Sequence, residues 1–153
     1  MIYLKACLIA MIPIVELRGA IPLAVGWGVS PWTALILCTV ANMLPVPVIY
    51  FFARKFLLWG KDQRYIGKVC TFFVEKGERA GQKLVKKTGR DGLFLALLLF
   101  VGIPIPGTGA WTGTLGASFL DMGFKSTVAA VSLGVLMAGC IMAVFSMGLV
   151  HIF

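Results

Sequence analysis

Residues 102–116 read GIPIPGTGAWTGTLG, and this stretch decides how the chain can fold. The apolar run at residues 93–103 leads into it and forms about 17 Å of helix, whereas a bilayer core is about 30 Å thick. Pro104, Pro106 and the neighbouring glycines disfavour a continuous helix across residues 104–109. Broken backbone at membrane depth must be packed in protein or line a wet cavity, so this stretch is a candidate substrate site.

The composition is that of an integral membrane protein. The 153 residues are 59% hydrophobic, with a mean hydropathy of +0.96. Eleven of the 14 lysines and arginines lie within residues 54–90, and such a basic cluster stays cytoplasmic. Membrane topology therefore explains the net charge of +8 without a nucleic-acid partner. Without a catalytic triad, a phosphate-binding loop or paired catalytic carboxylates, and with a single histidine, the sequence predicts no enzyme, no cofactor and no metal site.

The first apolar segment, residues 2–28, allows two interpretations. One is a spanning helix kinked at Pro13 and Pro22. The other is a re-entrant hairpin that turns near residues 18–20, with Pro22 opening the return arm. Two prolines, Gly19 and two charges within ten residues favour the hairpin.

Two long uncharged segments are candidate spans. Ser30 and Pro31 provide a helix start, and residues 31–53 are long enough to cross, with a kink expected near Pro45 and Pro47. Residues 126–153 form the second span, where Gly134, Gly139 and Gly148 provide small faces for helix packing.

Between the two halves, residues 61–90 show a helical pattern of apolar and basic positions. Ile66, Val69, Phe73, Ala80 and Leu84 recur at spacings of three, four or seven residues. We expect an amphipathic helix on the inner leaflet, which Gly67, Gly77 or Gly81 can divide.

The halves also resemble each other, because Ile12-Pro13-Ile14 matches Ile103-Pro104-Ile105 at an offset of 91 residues. The predicted fold is an all-α integral membrane protein with an inverted repeat of re-entrant hairpin plus transmembrane helix. The boundaries are 1–53 for the first repeat (hairpin 2–28, span 31–53), 54–91 for the basic cytoplasmic amphipathic segment, and 92–153 for the second repeat (hairpin 93–120, span 126–153). Two hairpins would put the termini outside, and two full spans would put them inside. Lys5 favours termini on the inside, whereas Lys125 favours the hairpins.

Residues 16–22, ELRGAIP, and residues 102–117, GIPIPGTGAWTGTLGA, resemble the putative small multidrug export protein family. That family is similar to the wider DedA superfamily of bacterial membrane proteins. The resemblance implies two re-entrant hairpins that enter from opposite faces, in a bacterial cytoplasmic membrane. It also implies transport: drug export by the family's name, or gradient-coupled recycling of polyprenyl phosphate by DedA relatives. This chain is shorter than the DedA pattern, and its second broken segment has no arginine, so a basic pair cannot be carried over.

Glu16 and Arg18 are the only charges deep in a hydrophobic segment. Each costs roughly 2.5–3.5 kcal/mol at a helix centre, so each needs a partner or a cavity. They can neutralise each other, although residues two apart on a helix point to different faces. Alternatively, Arg18 binds a substrate anion and Glu16 carries a proton.

The second broken segment offers backbone donors and hydroxyls. Residues 106–109 can form an anion nest at the start of a half-helix near Ala110, or can simply shape a turn. Asn42 either bonds freed backbone near Pro45 or lines a cavity. Trp111 lines a lipid path or packs at an interface. The predicted substrate-binding residues are Arg18, Gly107, Thr108, Gly109, Thr112, Trp111 and Asn42; Glu16 couples protons; and Pro13, Gly19, Pro22, Pro104 and Pro106 shape the turns.

These features predict a secondary transporter of an anionic amphiphile, such as a polyprenyl phosphate, with proton or ion coupling. Proton-coupled export of cationic drugs is the alternative in the same class, and a non-transporting membrane scaffold is the alternative in another. The expected partners are membrane lipids, with anionic headgroups at the basic segment, and a second copy in a homodimer or higher homo-oligomer.

Overall fold

The computed structural model describes residues 1–13, 15–62, 67–105 and 108–152, and in these ranges it contains helices and no strand. The all-helical part of the predicted fold is thus confirmed. The helices are α1 (Ile2–Met11), α2 (Glu16–Gly26), α3 (Pro31–Met43), α4 (Pro45–Lys61), α5 (Gly67–Gly102), α6 (Ala110–Phe119) and α7 (Phe124–Ile152).

Within the described residues, two helical stretches are long and apolar enough to cross a membrane. They are Pro31–Gly60, with 30 residues, and Phe124–Gly148, with 25 residues. The first contains α3 and α4, separated at Leu44 immediately before Pro45, where the prolines predict a kink. In contrast, α1, α2 and α6 have 10, 11 and 10 residues, and helices of that length extend only about 15 Å.

The first break lies earlier than predicted. It lies between the end of α1 at Met11 and the start of α2 at Glu16. Ile12 is extended (φ −73°, ψ 128°), as expected for the residue before a proline. The predicted turn at residues 18–20 is wrong, because Arg18 and Gly19 lie inside α2. Pro22 does not open a return arm either. It is the seventh residue of α2 and leaves the carbonyl of Arg18 without its helical donor.

Helix α5 bends at Gly89, where φ is +72° and ψ is 178°. Glycine tolerates this left-handed φ because it has no Cβ. The suggested division at Gly77 or Gly81 is wrong, because both lie in unbroken helix. Of the predicted apolar face, Ile66 and the side chains of Val69, Phe73, Ala80 and Leu84 lie outside the described residues. On the exposed side, Arg79 and Glu75 form an ion pair at 3.6 Å.

Small residues let the helices approach closely. A Cβ on Gly134 would lie 2.8 Å from the carbonyl oxygen of Leu98, so α7 packs directly on the backbone of α5. A Cβ on Gly139 would lie 2.5 Å from Leu35, which joins α7 to α3. A Cβ on Gly148 would meet no described atom of another element within 4 Å, so two of the three predicted glycines mediate packing.

The two halves are interlocked rather than side by side. Helix α2 packs on α3 and α7, and α6 packs on α4 and α5. The hydroxyl of Tyr50, on α4, donates to the carbonyl of Met122 at 2.6 Å, just after α6. This crossed packing brings the break before α2 to the break before α6.

Candidate functional site

The second break leaves two helix ends facing each other. Helix α5 stops at Gly102 and α6 starts at Ala110, as the sequence predicts. Every helix ends in carbonyls and begins with N–H groups that lack helical partners. Thr108 supplies one local partner, since its hydroxyl lies 3.0 Å from the carbonyl oxygen of Ile103 and 2.9 Å from that of Ile105. Two backbone N–H groups are also local partners, since Ile105 donates to the carbonyl oxygen of Ile103 at 2.8 Å and Thr108 donates to that of Ile105 at 3.1 Å. Further partners come from the other half of the chain.

Arg18 supplies the donors for the end of α5. Its Nη2 donates to the carbonyl oxygens of Val101 at 3.2 Å and Ile103 at 3.1 Å, and to the hydroxyl of Thr108 at 3.0 Å. Its Nη1 donates to the carbonyl oxygen of Ile105. The guanidinium thus places a positive charge at the negative end of the α5 dipole. Its planar fork of donors suits several acceptors at once.

Glu16 supplies the acceptors for the start of α6. Its Oε2 accepts from the backbone N–H of Ala110 at 3.3 Å, and its Oε1 from that of Trp111 at 3.1 Å. The residue is buried, with 5% of its surface exposed. Gly109, at the N-cap position, has no side chain to accept these bonds, so a carboxylate from the first half replaces the usual capping side chain. The negative charge lies at the positive end of the α6 dipole.

Gly109 makes room for that carboxylate. A Cβ at this position would overlap Oε2, Cδ and Oε1 of Glu16. Its φ of −161° is extended and open to any residue, so the requirement is for space and not for a special backbone angle. Its N–H donates to Thr112 Oγ1 at 2.9 Å, which fixes the first turn of α6.

Glu16 is also held in an unusual backbone conformation. Its φ is +49°, in the left-handed region, which costs a non-glycine residue about 1–2 kcal/mol. Such strain persists where surrounding contacts over-determine it. Here the two hydrogen bonds to α6 are those contacts.

Glu16 and Arg18, the charged pair of the first half, each find hydrogen-bond partners in the second half. The two side chains are satisfied at opposite ends of the second break: the carboxylate at its α6 end and the guanidinium at its α5 end. The N–H groups that hold the carboxylate are those of Ala110 and Trp111. Those of Thr108 and Gly109, which belong to the predicted nest, donate within the second half of the chain. Gly107 and Pro106 lie outside the described residues.

The other predicted residues divide into two groups. Thr108, Gly109, Thr112 and the backbone of Trp111 belong to the site, and Pro104 lies within its break. Pro13 is exposed in the first break. Asn42 is fully buried on α3, and neither its Oδ1 nor its Nδ2 has a partner in the described structure. The predicted hydrogen bond from Asn42 to backbone near Pro45 is therefore wrong.

Sequence reasoning missed the acceptors for Arg18, which are backbone carbonyls and the Thr108 hydroxyl rather than a carboxylate or a ligand. A signal was present: Ile12 and Ile103 each precede a proline, and α1 and α5 each end one residue before them. Helices end at or before such a residue, so both positions mark exposed carbonyls.

A cavity of about 240 Å³ lies beside the site, between α5 and α6. Leu93, Leu97 and Phe100 line one wall, and Gly113 and Gly116 belong to the other. The lining is almost wholly apolar. Thr112 belongs both to this lining and to the hydrogen-bonded first turn of α6, so the cavity adjoins the charged site.

Comparison with known proteins identifies the family of this chain. Residues 16–141 match the family described as "Putative small multi-drug export protein". The chain belongs to this family. The matched range begins at Glu16 and contains Arg18, the entire second break and α6. No curated protein and no solved structure matches the chain. Membership of the small multi-drug export family, together with the two long apolar helices, indicates a membrane protein.

Proposed function

We propose that this member of the small multi-drug export family is a proton-coupled secondary transporter of an anionic amphiphile. The single observation that carries the proposal is the position of the Glu16 carboxylate, on the backbone N–H groups that begin α6. An anion site at a broken helix already exists there, and a titratable side chain of the protein occupies it.

The chemistry of this site fits a phosphate or carboxylate headgroup. N–H groups at a helix start bind anions directly, and the helix dipole favours negative charge. Arg18 lies across the same break, and guanidinium binds phosphate through two parallel hydrogen bonds. A substrate anion that displaces Glu16 would find both donors in place. A lipid phosphate such as polyprenyl phosphate is the first candidate.

Glu16 links this exchange to protons. An ionised carboxylate holds the two N–H groups by charge-assisted bonds, whereas a protonated carboxyl loses the charge and most of its attraction to the helix start. Protonation therefore frees the start of α6 for a substrate anion, and release of the anion lets Glu16 ionise and return. One proton accompanies one anion through this cycle.

Export of cationic drugs, which the family's name favours, is the competing function. A cation bound at Glu16 would lie beside the positive start of α6 and within reach of Arg18. Like charges at close range are unfavourable, and more so in a dry site. The geometry therefore favours the anion.

The proposed setting is the cytoplasmic membrane, with residues 54–91 on the cytoplasmic side against anionic headgroups. We propose that the helix pairs flanking the two breaks enter as re-entrant hairpins, since helices as short as α1, α2 and α6 extend only about half the thickness of a bilayer core. We also propose a homodimer or higher homo-oligomer, because two spans enclose little volume for a substrate.

Flux in proteoliposomes tests the proposal. The native protein is compared with Glu16→Gln, and with Glu75→Gln as a matched control at an exposed acid. We expect an imposed proton gradient to drive polyprenyl phosphate across the membrane, Glu16→Gln to lose that dependence, and Glu75→Gln to keep it. Flux of a cationic dye without any lipid flux would contradict anion transport and support export of cationic drugs. Absence of flux for both probes would favour the scaffold.

A further inference from the structure

The cavity between α5 and α6 has no role in the proton and anion exchange described above. We infer that it is the binding site for the apolar tail of the same amphiphile whose headgroup binds at Arg18 and the start of α6. This inference rests on the proposed function and adds a binding site for the apolar part of the substrate.

The position of the cavity supports a single ligand that bridges both sites. Val101, whose carbonyl accepts from Arg18 at 3.2 Å, follows the wall residue Phe100 directly in sequence. On the other wall, Thr112 Oγ1 accepts from the N–H of Gly109, against which the Glu16 carboxylate lies. A headgroup that replaces the carboxylate would thus place its first tail atoms at the end of the cavity.

Size and lining select the type of occupant. An apolar protein cavity of about 150 Å³ binds benzene, whereas sites for whole drug-sized molecules measure about 300–1,000 Å³. At about 240 Å³ this cavity fits a section of a single hydrocarbon chain better than a whole drug. Its lining contains no charged side chain that would recognise a cation. Phe100 and Thr112 are exposed, so a longer tail can continue out into the bilayer.

Glycines keep the cavity open, and one of them provides a clean test. A Cβ on Gly116 would meet no atom within 4 Å, although this residue lines the cavity. Larger side chains at position 116 should therefore fill the cavity without disturbing the packing. Gly148, on α7, also has no neighbour within 4 Å and is not part of the cavity lining, which makes Gly148→Leu a matched control.

The experiment uses three photoreactive probes on the full-length protein in lipid nanodiscs. Each has an octyl tail with a terminal diazirine, and the heads are phosphate, trimethylammonium and a neutral hydroxyl. Labelled peptides are mapped by mass spectrometry. We expect the phosphate probe to label residues 93–100 and 113–120 preferentially. Gly116→Leu should lower that labelling at least tenfold, a difference of about 1.4 kcal/mol in binding. Gly116→Ala should give an intermediate reduction, and Gly148→Leu should give none.

Each alternative result has a defined meaning. If the neutral probe labels these segments as strongly as the phosphate probe, the cavity holds ordinary bilayer chains and the inference is overturned. It is also overturned if Gly116→Leu and Gly116→Ala leave labelling unchanged. If the trimethylammonium probe labels them best and Gly116→Leu blocks that labelling, the tail site stands and the proposed preference for anions fails.

Discussion

The two breaks look alike in sequence but contribute opposite chemistry. The first, between α1 and α2, is short, and α2 begins after it with Glu16 and, two residues on, Arg18. The second, at residues 103–109, is longer and carries no charge, but it exposes the carbonyl end of α5 and the N–H end of α6. The charged side chains that follow the first break are thus partners for the backbone groups that the second break exposes. Two charges are tolerated in an apolar protein because they are matched to helix ends of opposite polarity.

The largest effect is expected from removing the cation. Arg18→Ala removes the guanidinium from the carbonyls of Val101, Ile103 and Ile105, of which the last two keep only their local donors. It also leaves Glu16 without a nearby positive charge. We expect the free energy of unfolding in mixed micelles to fall by about 3 kcal/mol. Arg18→Lys should lose less, because it keeps the charge but not the planar fork. A loss no greater than that of Lys125→Ala, at an exposed residue, would mean that Arg18 does not secure the second break.

The second-largest effect is expected at Gly109, which leaves space for the Glu16 carboxylate. In Gly109→Ala the new Cβ overlaps the Glu16 carboxyl group and forces it away from α6. We expect a loss of about 2 kcal/mol in unfolding free energy, since two charge-assisted hydrogen bonds are broken. Gly116→Ala, the same change on the same helix but into open space, should be neutral or stabilising by up to about 1 kcal/mol. Equal effects of the two substitutions would contradict this geometry.

A smaller effect distinguishes the hydrogen bonds that Glu16 makes to α6 from the backbone strain at the same residue. Glu16→Ala and Glu16→Gly both remove the carboxylate, but only glycine also relieves the left-handed φ of +49°. We expect Glu16→Gly to be the more stable of the two by about 0.5–1 kcal/mol, after allowing for the greater chain entropy of glycine. Equilibrium unfolding of both variants measures the difference. If Glu16→Ala is the more stable, position 16 carries no backbone strain.

The smallest effect is expected outside the breaks, at Asn42. Its amide is fully buried without a partner in the described structure, so Asn42→Cys removes a desolvation cost at nearly the same side-chain volume. Unfolding should show no loss, and a gain of up to about 1 kcal/mol. A loss greater than about 1 kcal/mol would show that the amide has a partner. Unchanged flux in this variant would remove Asn42 from the predicted substrate-binding residues.

Local sequence signals predicted much of this fold. Ser30 and Pro31 predicted the start of α3, and the glycines around Thr108 predicted the gap before α6. Pro45 predicted an irregularity where α3 and α4 are divided at Leu44, although Leu44 keeps helical backbone angles. These features depend on backbone chemistry within a few residues. The sequence also identified Glu16 and Arg18 as charges in need of partners.

Other features depended on long-range packing. Pro22 reads as a break in isolation, yet it is tolerated in α2, because buried residues on that helix anchor it in the core. The carbonyl acceptors for Arg18 lie 83–87 residues away, at the end of α5 and just after it, where the residues that bear them are apolar. The bend of α5 at Gly89 rather than at Gly77 or Gly81 has no local sequence explanation, since glycine permits it at all three positions.

A double-mutant cycle between Glu16 and Gly109 tests the central claim most directly, because it asks whether the two breaks meet through this carboxylate. In the Glu16→Ala background, the atoms that the Cβ of Gly109→Ala would overlap are gone. We predict that Gly109→Ala then costs little, so the double variant is more stable than the sum of the single losses requires, by about 1–2 kcal/mol. Losses that add to within about 0.5 kcal/mol would mean that Glu16 and Gly109 act independently, and would contradict the account.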